Sequence, residues 1–305
     1  MSENGDMCGI VGLFLKDRTL DQELGQLLSQ MLITMSDRGP DSAGIAIYGE
    51  PSKEESKITV QSSNHPEDFD VLENIFKQEA WDNVRLSRKN NHAVIKTDTV
   101  HLKNILTYIK DHMSNLRIMS IGDSVEIYKE TGLPAEVIKR FSIDHMSGTH
   151  GIGHTRMATE SAVTTLGAHP FSTGPDQCLV HNGSLSNHNN LRRDLIRDGI
   201  NIETDNDSEI AAAYLTNRMA KGISLRNALE KFIGDKDGKK DNNKENLMDD
   251  HISKVGASET IYLPDGKVSK LVSAKLPNNF DSLYSSGSLT YNNLLEELTL
   301  PVFKV

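Results

Sequence analysis

Residues 8–15, CGIVGLFL, form a short apolar run bounded by charge and broken by glycines, which predicts a buried strand beginning at Cys8 rather than a helix. From Leu20 the apolar positions Leu20, Leu24, Leu27, Leu28, Met31, Leu32 and Met35 share one helical face, and the pattern stops before the turn Asp37-Arg38-Gly39-Pro40. IAIYG at 45–49 predicts a second strand. Over 57–122 the rhythm changes to KITVQS, a helical DFDVLENIFKQEA, then VRLSR and HAVIKT separated by Lys89-Asn90-Asn91, a helical HLKNILTYIKDHM, and LRIMSIG. That β-α-β-β-α-β order is the ferredoxin-like split unit, so 51–122 reads as a small inserted subdomain. A strand and a helix follow at 125–141. Helices are then expected over 187–198, ending at Gly199, from Asp207 to a stop by Gly222, and from Ser224 with Leu225, Ala228, Leu229 and Phe232 on one face.

The character of the chain changes at 234–250, GDKDGKKDNNKENLMDD, where Leu247 and Met248 are the large apolar residues, and the segment reads as a polar, disordered linker. The tail at 251–305 offers brief strands, ETIYL and KVSKLVSA around a Pro-Asp-Gly turn, and a weak helix at NNLLEEL, with no sustained pattern. At 305 residues the chain exceeds one typical compact domain. Its 37% hydrophobic and 25% charged composition is that of an ordinary soluble protein. A formal net charge of -10 argues against nucleic acid as a partner, because phosphate binding needs a basic footprint. The acidic N-terminal MSENGDM lacks the parts of a secretion signal, and no apolar run approaches the ~18 residues of a membrane span, so a cytoplasmic protein is expected.

Two cysteines, Cys8 and Cys178, are too few for a disulfide framework, so either matters as a thiol. Were Cys8 the first residue, its free α-amine, with a pKa of about 7.7–8, could take the thiol proton; inside a peptide bond that nitrogen has no basicity. The alternative is an ordinary buried strand cysteine, and Cys178, in an apolar strand, reads as inert core. His150 and His154 share one face of a strand, but no third ligand stands at a convincing spacing, so no metal is expected. Taken singly, Arg156 could equally be a surface arginine and Asp207 could simply cap the helix that follows, while Asn182-Gly183 reads as a turn dipeptide.

In order along the chain, MCGIVGLF, DRGPDSAG, GHTRMAT, AHP, HNG and DSE resemble the motifs of the class II glutamine amidotransferases, over 8–50 and about 150–233. The wording of SVEIYKETGLPAEV, of GTHGIGHTRMATESAVTTLGAHPF and of AAAYLTNRMAKG is similar to the stand-alone amidotransferase subunits of glutamate synthase-like and N-methylglutamate synthase-like enzymes, which also have the insertion. The resemblance implies an α+β fold, the N-terminal-nucleophile (Ntn) αββα sandwich. The amidotransferase domain would comprise 8–50 and 123–233, interrupted by the insertion and followed by the linker and a divergent tail. Past Glu230 the family continues with core strands where this chain has its polar run, so the sandwich is expected to be incomplete at that end.

By the same resemblance Cys8 is the nucleophile, and Asn182 and Gly183 form the oxyanion hole, where each donor is worth at most about 3–4 kcal/mol. Arg156 would hold the α-carboxylate of glutamine and Asp207 its α-ammonium, Thr159 and His169 would line the pocket, and Arg38-Gly39 would form the turn beside the nucleophile. Ammonia would pass to synthase subunits carrying flavin and iron–sulfur centres, with no cofactor in this chain. The alternatives are delivery to an amino-sugar or nucleotide-precursor acceptor, or an inactive glutamine-binding or regulatory subunit.

Overall fold

The computed structural model describes residues 8–79, 81, 83–158, 162–183, 185, 187–236, 259–262, 268–271 and 302–304. They belong to two compact units, one ending at Gln177 and one beginning at Cys178.

In the first unit, strands β1 (Gly9–Phe14), β2 (Ser42–Tyr48), β7 (Val125–Thr131) and β8 (His150–Arg156) make an antiparallel four-stranded sheet in the order β1-β8-β2-β7. Every residue of β2 and of β8 is buried. Helix α1 (Leu24–Thr34) packs on β1 and β8, and α4 (Pro134–Phe141) packs against α1 and β2. The glycines of β8 allow this closeness. A Cβ on Gly151 would lie 2.6 Å from Leu28 Cδ1, and one on Gly153 would lie 3.0 Å from Leu32 Cδ1, so both leucines of α1 sit where side chains of the strand would otherwise stand. The turn before α1, expected as its first helical turn, is a separate 3-10 segment, Arg18–Glu23, with Asp17 accepting from Thr19 N at 2.9 Å.

Between β2 and β7 the chain forms β3 (Glu55–Ser62), α2 (Glu67–Gln78), β4 (Arg85–Lys89), β5 (His92–Asp98), α3 (Thr99–His112) and β6 (Leu116–Gly122). Their sheet runs β4-β5-β3-β6, antiparallel throughout. Ile58, Val60, Phe69, Leu72, Phe76, Ile95, Ile105 and Ile109 give it a core of its own, each such side chain contributing roughly 1.5–3 kcal/mol of burial. Asn90, in the expected turn, takes a left-handed φ of 56°. Asp176, after β9 (Phe171–Gly174), ties the insertion to the sheet: its carboxylate accepts from the backbone N–H groups of Asp123, Ser124 and Val125 at 2.8, 2.9 and 2.9 Å at the β6–β7 junction.

The second unit holds β10 (Gln177–Val180) from Cys178 onward and helices α5 (His188–Arg197), α6 (Asp207–Ala220) and α7 (Leu225–Lys236). Gly199 and Gly222 end α5 and α6 with φ of 84° and 79°. Ala228 and Phe232 are buried on α7, Phe232 against the Tyr214 ring, and the helix continues to Lys236, three residues into the expected linker at 234–250. The rest of that linker, the Pro-Asp-Gly turn and NNLLEEL lie outside the described residues. In the tail β11 (Glu259–Tyr262) pairs antiparallel with β12 (Val268–Leu271), while β13 (Val302–Lys304) runs parallel to β10. No helix among the described residues is long and apolar enough to cross a membrane.

Two histidines are buried in neutral form. His92, against the rings of Tyr128 and Phe141, has its pKa pulled by burial from 6.5 to about 3, and His150, stacked on Tyr48 at 4.2 Å, is pulled to about 4 for the same reason. The unfolded chain therefore takes up these protons first, so their contribution is complete above the unfolded value of 6.5 and is lost as pH falls toward the folded values. Thermal melting between roughly pH 7 and pH 5 should show a loss on the order of 2 kcal/mol per histidine, smaller in His92→Phe. A flat profile over that range would contradict the neutral assignment.

Candidate active site

Cys8 stands immediately before β1, half-buried. The register pairs Gly9 with Thr155 and Ile10 with His154, so the entry to β1 runs beside the exit of β8, where Arg156 lies. Two bonds pin this entry. Gly9 N donates to Thr155 Oγ1 at 3.2 Å, and the same hydroxyl donates to Met35 O at 3.1 Å. The thiol then meets the backbone just beyond Arg156, with Met157 N–H donating to Cys8 Sγ at 3.4 Å. Burial pushes the Cys8 thiol up; the Met157 bond and the positive charge of Arg156 pull it down and Asp41 pushes it up, leaving it above the ordinary thiol range.

The Asp37–Asp41 turn is fastened to the same place. A Cβ on Gly39 would fall 2.4 Å from Thr155 C and 2.6 Å from Arg156 N, so the chain can cross the β8 backbone here with glycine and with nothing larger. Arg38 is half-buried at the end of the 3-10 turn Ser36–Arg38. Asp41 N donates to Arg156 O at 3.1 Å, and the Asp41 carboxylate accepts from Ala158 N at 2.8 Å. Arg156 is buried, and its Nη1 donates to Ala162 O at 3.3 Å. His169, also buried, stacks on His154 with ring centroids 4.1 Å apart. Cys8, Arg38, Gly39 and Arg156 thus gather around the exit of β8, with His169 against the same strand. Thr159 lies outside the described residues.

The remaining predicted residues belong to the second unit. Asn182 is half-buried and Gly183 exposed, in the loop after β10. Asp207 opens α6 but does not cap it: Asn206 does, accepting from Ser208 N at 2.9 Å. Asp207 Oδ2 accepts from Leu185 N at 2.8 Å, and its Oδ1 lies 3.9 Å from Nδ1 of the buried His181. Glu209, the last residue of the DSE motif, is buried and accepts from Glu203 N and Thr204 N at 2.8 and 2.7 Å, closing the loop that leads into α6. Cys178 is buried, and no group of three or more potential metal ligands occurs among the described residues.

Thr155 and Asp41 were not singled out from the sequence. Both stand inside recognised motifs, and the alternation of Gly151, Gly153 and Thr155 along one face of the strand was the available signal for Thr155.

The sequence pattern of the glutamine amidotransferase domain matches residues 154–235. The chain is 60% identical over 232 residues to the glutamine amidotransferase-like protein GlxB of Rhizobium meliloti, covering 76% of this chain and 77% of that protein. It is 36% identical over 94 residues to the glutamine–fructose-6-phosphate aminotransferase of Methanococcus maripaludis, 30% of this chain and 16% of that one. Among solved structures, the glutamine phosphoribosylpyrophosphate amidotransferase from B. subtilis aligns with a TM-score of 0.36 and 16% identity over 75% of this chain and 32% of that chain. The chain belongs to the class II glutamine amidotransferases.

With residues 1–7 attached, alkylation of Cys8 by iodoacetamide should still be accelerating at about pH 9, because the thiolate is the reacting form and burial raises the thiol. A rate that levels off near neutral pH would contradict this account of the thiol's surroundings.

Proposed function

We propose that the chain is the cytoplasmic glutaminase subunit of a glutamate synthase-like enzyme. The observation that carries this reading is the placement of the Cys8 thiol against Met157 N–H, one residue beyond the buried Arg156. In the proposed reaction Cys8 Sγ adds to the side-chain carbonyl of L-glutamine, and the Asn182 side-chain amide and Gly183 N–H receive the negative oxygen. The nitrogen takes a proton and leaves as ammonia. Water then attacks the glutamyl thioester, releasing glutamate and restoring the thiol. Arg156 pairs with the α-carboxylate and Asp207 with the α-ammonium, which selects a free amino acid over a peptide. Thr159 and His169 line the pocket, and Arg38-Gly39 close the turn beside the nucleophile.

The thiol needs a base, and removal of residues 1–7 would supply one as the Cys8 α-amine. Residues 8–50 and 123–233 are assigned to the Ntn amidotransferase fold, and 51–122 to a ferredoxin-like insertion; the strand order β4-β5-β3-β6 supports the latter. Transfer of ammonia to an acceptor would fall to partner subunits carrying flavin and iron–sulfur centres.

Intact mass of the chain from its native host, before and after a diazoketone analogue of glutamine, tests the reading. A chain beginning at Cys8 should gain one adduct, and Cys8→Ala none. Asn182→Ala should lower kcat by about 10²–10³, whereas Arg156→Gln should act mainly on the KM for glutamine, by roughly 100-fold. An unprocessed chain that neither takes the label nor hydrolyses glutamine would leave an inactive glutamine-binding subunit as the better description.

A further inference from the structure

Two adjacent residues of β7, Lys129 and Glu130, are each 5% exposed, although charged side chains rarely leave water without a partner to hold. Both hold the same segment. Lys129 Nζ donates to the carbonyl oxygens of Leu166, Ala168 and Pro170 at 3.1, 2.8 and 3.2 Å and lies 4.5 Å from the centre of the Phe171 ring. Glu130 Oε1 accepts from Thr165 Oγ1 and from Thr131 N, the latter at 2.8 Å. Neighbouring side chains on a strand point to opposite faces, so residues 165–170 are gripped from both faces of β7.

What this segment touches gives the grip its consequence. Ala162 O accepts from Arg156 Nη1, and a Cβ on Gly167 would stand 3.3 Å from that same nitrogen. The segment also carries His169. Its own amides are tied locally, Gly167 N donating to Thr164 Oγ1 at 3.1 Å and Ala168 N to Thr165 O at 3.3 Å. The wall behind the Arg156 guanidinium is therefore set by how Lys129 and Glu130 hold residues 165–168.

The other oxygen of Glu130 reaches the insertion. Glu130 Oε2 accepts from Asn91 Nδ2 at 2.6 Å, with Arg140 Nη1 3.4 Å away. Asn91 forms the turn between β4 and β5 and is itself fixed, its side-chain oxygen 3.0 Å from His92 Nδ1 and its backbone oxygen accepting from Ser62 N at 2.9 Å. One carboxylate thus joins the hairpin of the insertion to the segment behind Arg156.

We propose that Glu130 is a positioning residue for glutamine binding, through which the β4–β5 hairpin of the insertion sets how Arg156 is presented to the substrate. This rests on the proposed role of Arg156 as the carboxylate partner of glutamine. It gives the insertion a part in the reaction without contact with substrate: a shift of the hairpin is felt as a change in glutamine affinity and leaves the chemical step at Cys8 alone.

Asn91→Ala is the decisive variant, since it removes the link at a half-buried turn residue and leaves Glu130 bonded to Thr165 and Thr131. Two quantities are measured on the full chain: amide hydrogen exchange over residues 162–170, and KM and kcat for glutamine. Exchange at Gly167 and Ala168 should accelerate several-fold, and KM should rise by roughly tenfold with kcat within about twofold, as expected when a bond to a charged group is lost. Thr165→Val, which cuts the other side of the link, should reproduce both effects. Unchanged exchange in Asn91→Ala overturns the proposal, as does faster exchange with unchanged KM or a loss confined to kcat. Should the parent chain fail to turn over glutamine, the reading of the site falls, while the exchange measurement still decides whether Asn91 holds the segment.

Discussion

A strand hydrogen-bonded on both sides cannot slide without breaking two ladders at once, and β8 is such a strand, paired with β2 over its whole length and with β1 from His150 to Thr155. Its alternation divides its labours. Gly151, Gly153 and Thr155 face α1, two of them making room for Leu28 and Leu32 and the third anchoring Gly9 N and Met35 O. His150, His154 and Arg156 occupy the opposite face, and the pairing of Ile10 with His154 puts Cys8 on the parity of that face. A slip of one residue would turn Arg156 toward α1 and bring Gly151, Gly153 and Thr155 onto the face of Cys8. The depth of the packing of α1 and the position of the thiol are therefore one constraint.

Much of this was legible because the signals are local. The glycine-interrupted apolar runs, the helical stripe of α1, the alternation of the insertion and the glycines at 199 and 222 all depend on neighbours a few residues away, where periodicity speaks directly. The start of α1 was misplaced because Asp17 caps a 3-10 turn, and stripes of apolar residues do not distinguish one helical winding from another. Asp207 could be read equally as cap or ligand, and the geometry transfers the cap to its neighbour Asn206. Gly39 was visible as part of a motif, but the reason for it, a backbone crossing at 2.4 Å, was not.

The residues that sequence reasoning did not single out share a feature. Lys129, Glu130 and Asp176 act on segments more than thirty residues away along the chain, and nothing near them announces it. In sequence, Lys129 and Glu130 sit in YKET, which reads as the polar end of a strand. An ammonium removed from water is costly by several kcal/mol unless each of its protons finds an acceptor. Here three carbonyl oxygens meet the three donors of Lys129, with a ring face nearby.

Such an arrangement adds little net stability, because well-packed apolar side chains of the same volume commonly do as well or better. What it adds is a unique path for the chain. Backbone carbonyls of residues 166, 168 and 170 must converge on one point, and this fixes a stretch that has no helix or ladder of its own up to Phe171. Glu130 adds a second fixed point on the other face of β7, with bonds that hold its carboxyl below the ordinary carboxylate range even though burial alone would raise it. A loop held at two points by buried charges gives the Arg156 side chain that packs against it one fixed set of surroundings. The same rigidity makes the loop responsive as a body: whatever moves Glu130 moves the surroundings of Arg156 with it, and through Asn91 that includes the insertion.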